Sequence, residues 1–345
     1  MAQAAQSVRE RMFQLLRGGE ALTRQELAAR LGLSMPTALQ NVTELTEAGV
    51  LEECGAVDST GGRRARKFRL RPDAGCVVGI DVGVRQVEFA LLDLLGGFRT
   101  GGSAPLVFAD RPDWYSRLGE ALAGFLEEAG PGRVLGAGVS FPGIVDPEGT
   151  EVLRSHILGL THMGLGRFRR SIPFPAVFAN DANCACLGER RPERESFVYL
   201  SLNESVGGAV LVKGRLWLGD RFQAGEAGHM LLIPGGRTCY CGKQGCADAY
   251  LSPQALRRDG WDLYLDHLAI LLTNLRMLLN MDIVVGGSVG AELPPHMEAL
   301  RERAAAYDRF ARDVDYLFPC SRRAFACAAG AAALALDAFA ASVLP

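Results

Sequence analysis

Val77-Val78-Gly79-Ile80-Asp81 is an apolar run that ends in a carboxylate, and Gly83 follows it. A short apolar run bounded by turn residues predicts a buried strand, here with an acidic group at its carboxyl end. A second strand is predicted from Val87 to Leu94, and Gly96-Gly97 predicts the hairpin turn that follows it. The α/β body of the protein therefore begins near Cys76.

The alternation of strands and helices continues beyond this hairpin. The sequence predicts an amphipathic helix from Trp114 to Ala129, a glycine-containing strand from Val134 to Phe141, and a short strand at Val177-Phe178-Ala179. This last strand is followed directly by Asn180-Asp181-Ala182-Asn183. Repeated strand, turn and helix segments predict an α/β fold whose functional groups lie at the ends of strands.

A cluster of cysteines is the second informative pattern. Cys239-Tyr240-Cys241-Gly242-Lys243-Gln244-Gly245-Cys246 has His229 ten residues before it. Four soft or borderline ligands are the number that a tetrahedral structural zinc takes, although the C-x-C-x4-C spacing differs from that of common zinc fingers. The alternative is three buried thiols in a tight turn, where sulfurs so close together would clash or oxidise. We therefore expect one structural Zn²⁺, with these ligands: His229, Cys239, Cys241 and Cys246.

Residues 1–72 have the pattern of a winged helix-turn-helix. Thr23-x-x-Glu26 is a capping box, and Gly32 predicts a turn between two short helices. Three helices are predicted, at Val8–Leu16, Thr23–Leu31 and Pro36–Ala48. The predicted small core consists of Leu27, Leu31, Val42 and Leu45.

The third of these helices is the candidate for reading DNA. Two helices joined by a glycine-containing turn allow the second one to enter the major groove from a rigid support. Short hydroxyl and amide side chains on its outer face suit base edges and phosphates. The outward candidates are Ser34, Met35, Thr37, Gln40, Asn41 and Thr43.

A hairpin follows as the candidate wing. Its strands are predicted at Val50–Glu53 and Lys67–Leu70, with the tip from Ser59 to Arg66. Glycines followed by arginines favour a slim cationic tip that lies along a minor groove. The alternative is a solvated basic loop on a helical module that binds protein. The DNA-contacting residues predicted here are Arg63, Arg64 and Arg66.

Charge is distributed unevenly along the 345 residues. Residues 1–72 contain 11 Lys and Arg against 8 Asp and Glu, whereas the rest of the chain contains 26 against 31. A basic first segment on a mildly acidic body predicts that only the first segment meets a polyanion.

The remaining composition indicates a globular protein without a membrane span. The apolar stretch from Leu268 to Val285 is interrupted by polar and charged residues, and the amino-terminus has no apolar signal segment. Nine cysteines in such a chain favour a reducing cytoplasm.

Several segments together resemble the ROK family, the group of repressors, unassigned reading frames and sugar kinases. The resemblance covers almost the whole body, and the winged helix together with Gly61-Gly62-Arg63-Arg64 points to the family's regulators. It implies a two-lobed, actin-like (ribonuclease H-like) sugar kinase fold. The segments that carry it, besides the cysteine cluster, are Gly79–Gly83, Gly138–Gly143, Asn180–Asn183, Gly225–His229 and Ile283–Ser288.

The resemblance also implies a sugar site in a cleft between the two lobes. Asn180 and Asp181 would bind sugar hydroxyls, Glu226 would bind others, and His229 would place one ring nitrogen on zinc and the other toward the sugar. Asp248 stands where the family usually has Glu, so its contact would be looser or mediated by water. The alternative for Asp181 is a carboxylate that caps the following helix.

Two turns decide between a kinase and a sensor. In the kinases that the chain resembles, Asp181 would be the general base and two glycine-rich turns would hold ATP phosphates. Here Val84 replaces a glycine in the first turn, and Asn203-Glu204-Ser205 stands where the kinases have Gly-Thr-Gly. The sequence therefore predicts sugar binding without phosphoryl transfer, with Asp181 as a vestigial base.

The resulting hypothesis is a sugar-responsive transcriptional regulator, of repressor type. Its expected partners are a double-stranded DNA operator, a monosaccharide or sugar-phosphate effector, and a second copy of itself in a homodimer or higher homo-oligomer. The alternatives are an active ATP-dependent sugar kinase with an accessory DNA-binding domain and a protein-binding scaffold. The predicted domains are 1–72 for the winged helix, 73–182 with 325–345 for the first lobe, and 183–324 for the second.

Overall fold

The computed structural model describes residues 7–57, 65–191, 193–310 and 314–342. The chain forms two compact units. The winged-helix segment and most of the first α/β sheet share one unit, so the three-domain division stays a prediction. The first unit comprises Met1–Val139, Gly166–Phe178 and Ala331–Pro345, and the second comprises Ser140–Leu165 and Ala179–Gly330.

The amino-terminal part is a helix-turn-helix with a small three-stranded sheet in the order β1-β3-β2. The three predicted helices are confirmed to within two residues at each end, and the four residues predicted for its core are all buried. The elements are α1 (Val8–Leu16), β1 (Leu22–Thr23), α2 (Arg24–Leu31), α3 (Met35–Glu47), β2 (Leu51–Val57) and β3 (Ala65–Leu70).

The predicted helix ends form as the residue types dictate. The Thr23 hydroxyl accepts a hydrogen bond from the Glu26 backbone N–H, and the Glu26 carboxylate accepts one from the Thr23 backbone N–H at 2.7 Å. Gly32 follows α2 in the left-handed conformation that a helix C-terminus favours. Ser34 then caps α3 by accepting a hydrogen bond from the Thr37 backbone N–H. These caps fix the turn between the two helices.

The first large sheet has five strands in the order β11-β7-β4-β5-β6. Strand β4 is buried along its length apart from Asp81, because both of its faces are covered. The predicted strand and hairpin are therefore confirmed. The elements in this part are β4 (Cys76–Val82), β5 (Gln86–Asp93), β6 (Phe98–Pro105), α4 (Pro112–Ala129), β7 (Val134–Phe141), β8 (Ile144–Val145), β9 (Glu151–Ser155), β10 (Leu160–Gly164), α5 (Gly166–Ser171) and β11 (Ala176–Asn180).

The second large sheet has five strands in the order β14-β13-β12-β15-β16, which repeats the connectivity of the first. In each sheet, three consecutive strands are antiparallel neighbours joined by hairpins. Two later strands extend the sheet on the side of the first of these three. The elements are α6 (Asp181–Gly188), β12 (Phe197–Leu202), β13 (Val206–Val212), β14 (Arg215–Leu216), α7 (Asp248–Leu251), α8 (Pro253–Leu279), β15 (Asp282–Gly286), α9 (Gly287–Gly290), α10 (Met297–Tyr307), β16 (Leu317–Pro319) and α11 (Ala326–Ser342).

The carboxyl-terminal helix α11 packs on the winged-helix part within the first unit. The rings of Phe13 and Phe339 meet edge to face at 6.3 Å. Arg17 donates a hydrogen bond to Asp337 at 2.9 Å, and both side chains are at least three-quarters buried. Helix α1 is thereby fastened to the α/β body through a charge pair in an otherwise alanine-rich helix. Among the helices that the structure describes, none has the length and apolar content needed to cross a bilayer.

Candidate functional site

Four donor atoms of the second unit converge to form a candidate metal centre. Those of His229, Cys239, Cys241 and Cys246 all lie within 4.8 Å of one another. The sulfurs of Cys241 and Cys246 are 3.7 Å apart, and His229 Nδ1 is 3.8 Å from the sulfur of Cys239. Zinc–sulfur bonds of about 2.3 Å at tetrahedral angles place two sulfurs about 3.8 Å apart, whereas a disulfide requires about 2 Å. The donor set therefore fits a tetrahedral metal ion.

The thiol of Cys241 is prepared to act as a thiolate ligand. Desolvation alone would raise its pKa, but hydrogen bonds from the Lys243 backbone and the neighbouring thiols outweigh this and lower it. A thiolate is the form of cysteine that binds metal.

Backbone contacts bring the two halves of this centre together. The carbonyl of Gly245 accepts hydrogen bonds from Leu232 and Ile233, and the Ala247 N–H donates to Met230. A side chain at Gly245 would place its Cβ 1.9 Å from the Ile233 carbonyl oxygen, and its φ is +91°. Only glycine can occupy this position, and the tight turn before Cys246 depends on it.

An ion pair fastens the cysteine loop to α8. Arg237 donates two hydrogen bonds to the carboxylate of Asp259, at 2.6 and 2.8 Å. The Asp259 side chain is 4 % exposed. Desolvation would raise the pKa of Asp259, but the guanidinium groups of Arg237 and Arg258 lower it to about 2. The carboxylate therefore stays charged, and the bidentate pair fixes the start of the loop that carries Cys239.

Asp181 stands at the end of β11 and opens α6. Its Oδ1 accepts hydrogen bonds from the Ala182 backbone N–H at 2.9 Å and from Asn180 at 2.8 Å. Desolvation outweighs these bonds and raises the pKa of Asp181 to about 6. The carboxylate partly supports its own helix, as the capping alternative expects, but both bonds use the same oxygen.

Asn180 is committed to local structure to a greater extent than predicted. Its side-chain oxygen caps α6 by accepting a hydrogen bond from the Asn183 backbone N–H, at 3.1 Å. Its amide group donates to the Gly143 carbonyl at 2.9 Å and to Asp181. Asn180 therefore orients the carboxylate beside it and fixes the turn after β7.

Glu226 is carried by a loop pressed against β13. A Cβ at Gly225 would lie 2.5 Å from the Gly208 carbonyl oxygen, so the backbones meet without room for a side chain. Glu226 is exposed as a residue, yet the protein atoms around its carboxyl group raise its pKa by desolvation, and the Asp181 carboxylate adds to this. The carboxylates of Glu226 and Asp181, which belong to separate segments, are therefore close enough to interact electrostatically.

Asp248, which is predicted to contact the sugar, also has a structural role. It is 6 % exposed, and its carboxylate accepts a hydrogen bond from the Val206 backbone N–H at 2.8 Å. Desolvation raises the pKa of Asp248 to about 6. The side chain of Asp248 thereby connects the turn before β13 to the start of α7. The oxygen that makes this bond is engaged with the backbone and not with a sugar.

The second ring nitrogen of His229 faces a tyrosine. Its Nε2 lies 3.3 Å from the hydroxyl oxygen of Tyr240, and the two rings meet at 5.3 Å. On another side, the ring of His156 lies 5.1 Å from that of Tyr240. Sequence reasoning missed Tyr240 and His156, although a residue between two metal ligands is necessarily near the metal.

The DNA-reading face of α3 is mostly as predicted. Ser34, Gln40 and Thr43 are exposed, and Thr37 is half-buried. The outward placement of Asn41 is wrong: it is 8 % exposed, donates to the Thr37 carbonyl and accepts from Arg9 of α1. The exposed face also contains Met35 and Leu39, at 49 % and 46 % exposed.

The wing is described only in part. Arg63 and Arg64 lie outside the described residues. Arg66 is exposed and donates to Glu53 across the hairpin at 2.7 Å. An exposed pair of this kind is worth about 0–1 kcal/mol, so it does not prevent Arg66 from moving to a phosphate.

Comparisons with known proteins agree with this arrangement. A model of the ROK family matches residues 77–261, and a helix-turn-helix model matches residues 4–54. The chain belongs to the ROK family. The predicted fold is thereby confirmed, together with the amino-terminal helix-turn-helix.

Individual relatives of this ROK protein include regulators and kinases. It is 27 % identical to the xylose repressor of Bacillus subtilis, over 68 % of this chain and 63 % of that one. It is 26 % identical to a glucokinase of Streptomyces coelicolor, over 53 % and 58 %. A ROK family transcriptional regulator homologous to the E. coli MLC protein has a similar structure, with a TM-score of 0.79, 19 % identity and 97 % coverage of both chains. The chain spans about three fifths of the length of xylose repressors that it matches.

The side chain of Asn203, in the turn between β12 and β13, makes hydrogen bonds within the second unit. The Asn203 carboxamide accepts a hydrogen bond from the Ser288 backbone N–H at 2.7 Å and donates to the Ser201 hydroxyl at 3.0 Å. Ser288 belongs to the start of α9, where a backbone N–H is available to an anion when nothing else occupies it. The Glu204 carboxylate lies beside it and accepts from Gln254.

The first turn of the ROK domain is likewise closed on itself. The Gly83 N–H donates to the Gln86 carbonyl at 3.0 Å, and the carbonyls of Val84 and Arg85 accept from Phe108 and Leu106. Val84 is 43 % exposed. The turn therefore presents an exposed β-branched side chain at Val84.

Proposed function

We propose that this chain is a sugar-responsive, DNA-binding transcriptional regulator of repressor type. The proposal is supported by the combination of an exposed face on α3 with a ROK domain in which Asp181 and Glu226 interact electrostatically and Asn203 is hydrogen-bonded within its own unit. The repressor relatives support the same assignment. Sugar binding in the second unit would change the DNA affinity of the first by a coupling free energy of about 1–3 kcal/mol.

The metal centre in this proposal holds one zinc ion. The ligands would be His229, Cys239, Cys241 and Cys246, which fit by donor type and spacing. Bound zinc supplies a rigid four-way cross-link and no chemistry of its own. Recognition of the ligand is left to residues of the chain. The loop that the metal fixes carries Tyr240 and leads to Asp248 at the start of α7.

Sugar recognition would use hydroxyl-binding groups of the second unit. Asp181 and Glu226 accept hydrogen bonds from sugar hydroxyls, and Asn180 keeps Asp181 oriented. Asp248 supports the turn before β13. The effector is a monosaccharide or a sugar phosphate, and a homodimer would present two α3 helices to a palindromic operator.

DNA recognition by α3 leads to a first prediction. Replacing Gln40 by Ala is expected to reduce discrimination between a selected operator and single-base variants by about 1–3 kcal/mol at one position, because an amide side chain in the major groove reads a base edge. Affinity for the selected operator and its variants is measured by fluorescence anisotropy at several salt concentrations. A steep decrease with salt is expected for both proteins.

The control for this prediction is another exposed glutamine of the same domain. Gln25 lies on α2 and is exposed. Gln25→Ala is expected to leave discrimination unchanged. Equal discrimination by the Gln40 variant and the native chain would exclude Gln40 from base reading, and an absence of salt dependence would favour the protein-binding scaffold.

An active sugar kinase is the second candidate function. The glucokinase relatives favour it, as does a carboxyl group with a pKa of about 6, which suits a general base. The filled turn at Asn203 and the negative charge of Glu204 count against it, because both compete with or repel polyphosphate.

Measurement of ATP consumption separates the two functions. We expect no sugar-dependent turnover above the ATP background with D-glucose, D-xylose, D-mannose or N-acetyl-D-glucosamine, and the same background with Asp181→Asn. Turnover that requires Asp181 would contradict the proposed regulator without kinase activity and would support the sugar kinase.

Sugar binding itself is tested by thermal unfolding of the full chain with the same monosaccharides and their 6-phosphates. A ligand at one hundred times its dissociation constant adds about 2.7 kcal/mol to the free energy of unfolding. At least one member of this panel is expected to raise the melting temperature. If none does, the sugar-binding part of the proposal fails.

A further inference from the structure

Apolar side chains form part of the outer face of α3. Leu39 is 46 % exposed and Met35 is 49 % exposed. Residues four apart lie on the same face of a helix, about 6 Å apart along its axis, so these two side chains form one strip. Gln40 and Thr43 are exposed beside it. The strip therefore lies within the face predicted to read DNA.

The hydroxyl groups of this face are engaged in local hydrogen bonds. The Ser34 hydroxyl accepts from the Thr37 backbone N–H at 3.3 Å, and the two hydroxyl oxygens lie 2.7 Å apart. The Thr43 hydroxyl donates to the Leu39 carbonyl at 2.9 Å. These bonds support the helix and its cap. The Leu39 side chain has no part in the cap and lies on the exposed face.

The major groove of DNA contains an apolar group that distinguishes one base from the others, the C5-methyl group of thymine. Burial of apolar surface is favourable, whereas an apolar side chain placed over a polar base edge leaves the hydrogen-bonding groups of that edge unpaired. A leucine on a recognition helix therefore favours thymine. Leu39 is the fifth of the thirteen residues of α3, and the N-terminal residues of a recognition helix contact base edges.

The surroundings of the strip favour DNA over a protein as its occupant. Two apolar side chains with polar neighbours form a far smaller patch than those at which proteins dock. Residues 1–72 contain 11 Lys and Arg against 8 Asp and Glu, and Arg66 and Arg69 of the hairpin are exposed. A segment with net positive charge attracts a polyanion.

We propose that Leu39 is a specificity-determining residue for DNA, which places its side chain against the C5-methyl group of a thymine in the major groove. This inference rests on the proposed function, because it names the feature of DNA that α3 recognises. Gln40, the next residue, reads a neighbouring base edge by hydrogen bonds. Met35 extends the apolar strip by about 6 Å, which is about two base-pair steps of roughly 3.4 Å.

The test removes the methyl group from the DNA and the side chain from the protein. An operator that the native full chain selects from a random pool is made with deoxyuridine in place of thymidine, at one thymine position at a time. Deoxyuridine lacks only the C5-methyl group and keeps the base pair. Dissociation constants are measured by fluorescence anisotropy at one salt concentration for the native chain, Leu39→Ala and Leu39→Gln. Melting temperatures are measured on the same samples.

We expect the native chain to bind about fourfold more weakly when one particular thymine lacks its methyl group, because this is the contribution of one buried methyl group. Both Leu39 variants should bind the two forms of that position equally and keep the native melting temperature. Leu263→Ala is the matched control, since Leu263 of α8 is 44 % exposed. It is expected to respond to deoxyuridine as the native chain does.

The possible outcomes separate the inference from the function on which it rests. If the native chain selects no DNA from the pool, the proposed function fails. If it binds its operator but tolerates deoxyuridine at every thymine, or if both Leu39 variants keep the native response at every position, Leu39 does not read a methyl group and the regulator remains. A lowered melting temperature in both Leu39 variants would show a structural role and would also overturn the inference.

Discussion

A chain in which Cys239 and Cys241 are both replaced by serine is expected to bind no zinc and to lose its stabilisation by sugar. Only His229 and Cys246 would remain, and two donors do not hold a tetrahedral ion at ordinary concentrations. The loop between Met230 and Ala247 would then be held only by its backbone hydrogen bonds and by the ion pair of Arg237 with Asp259. Tyr240 would lose its fixed position with it.

The effects of this double substitution on zinc binding and on stabilisation by sugar should be confined to the second unit. The gain of about 2.7 kcal/mol that a saturating sugar gives the native chain is expected to fall to none. DNA binding without sugar should persist, because the helix-turn-helix belongs to the first unit. Zinc per chain is measured by inductively coupled plasma mass spectrometry, and stabilisation by differential scanning calorimetry.

Two other cysteines give a matched control. Cys54 and Cys327 are partly exposed and lie outside the metal centre. Cys54→Ser with Cys327→Ser is expected to keep both zinc and the sugar response. Full stabilisation by sugar in a zinc-free Cys239/Cys241 variant would contradict a bracing role for the metal.

Replacing Asp181 by Asn is expected to weaken sugar binding at least about tenfold and, at pH 8, to stabilise the protein without sugar. The carboxamide oxygen can accept the same hydrogen bonds from Ala182 and Asn180, so the local structure is preserved. Its NH₂ group cannot accept a hydrogen bond from a sugar hydroxyl, which is the role proposed for the second carboxylate oxygen. A charge-assisted bond of this kind contributes about 1.5–3 kcal/mol, and the affinity should fall by at least the corresponding factor of about 10.

The stability difference has a definite dependence on pH. The pKa of Asp181 is about 6 in the folded chain and near 3.8 in a free carboxyl group. Between these values the folded state binds more protons than the unfolded state, so the free energy of unfolding decreases as pH rises from about 4 to about 6. Asp181→Asn lacks this loss. The free energy of unfolding of this variant should equal that of the native chain near pH 4 and exceed it increasingly up to about pH 6. Above pH 6 the difference should stay constant.

Melting temperatures from pH 4 to pH 8 measure this difference. Asp73→Asn is a useful control, because hydrogen bonding to Arg71 lowers the pKa of Asp73. The stability difference between this variant and the native chain should therefore have the opposite sign. An Asp181→Asn protein that is less stable than the native chain at pH 8 would show that the carboxylate is a structural group. Retained sugar affinity would remove Asp181 from the site.

Local sequence patterns were sufficient for much of the fold. The capping box at Thr23, the run that forms β4 and the glycines of the cysteine loop act over a few residues, so their consequences can be predicted without knowledge of the rest of the chain. The four metal donors were predictable for the same reason. Their chemistry and their proximity in sequence restrict what they can form.

Long-range contacts account for the corrections. Asn41 is buried because Arg9 of another helix covers it, 32 residues away. Asp248 is committed to the backbone of Val206, 42 residues away, and nothing near Asp248 in sequence indicates this. The filling of the turn by Asn203 likewise depends on Ser288. Contacts of this range are set by the assembled sheets and not by local residue patterns.

The central claim is that sugar binding by the ROK domain controls the affinity of the helix-turn-helix for DNA. It is tested most directly by fluorescence anisotropy of the full chain on an operator selected from a random DNA pool, with and without the sugar that stabilises it most. The account predicts a change in DNA affinity of at least about fivefold for the native chain, none for Asp181→Asn, and equal affinities of the two without sugar. A native chain that binds both DNA and sugar, yet binds DNA equally well with and without the sugar, would contradict it.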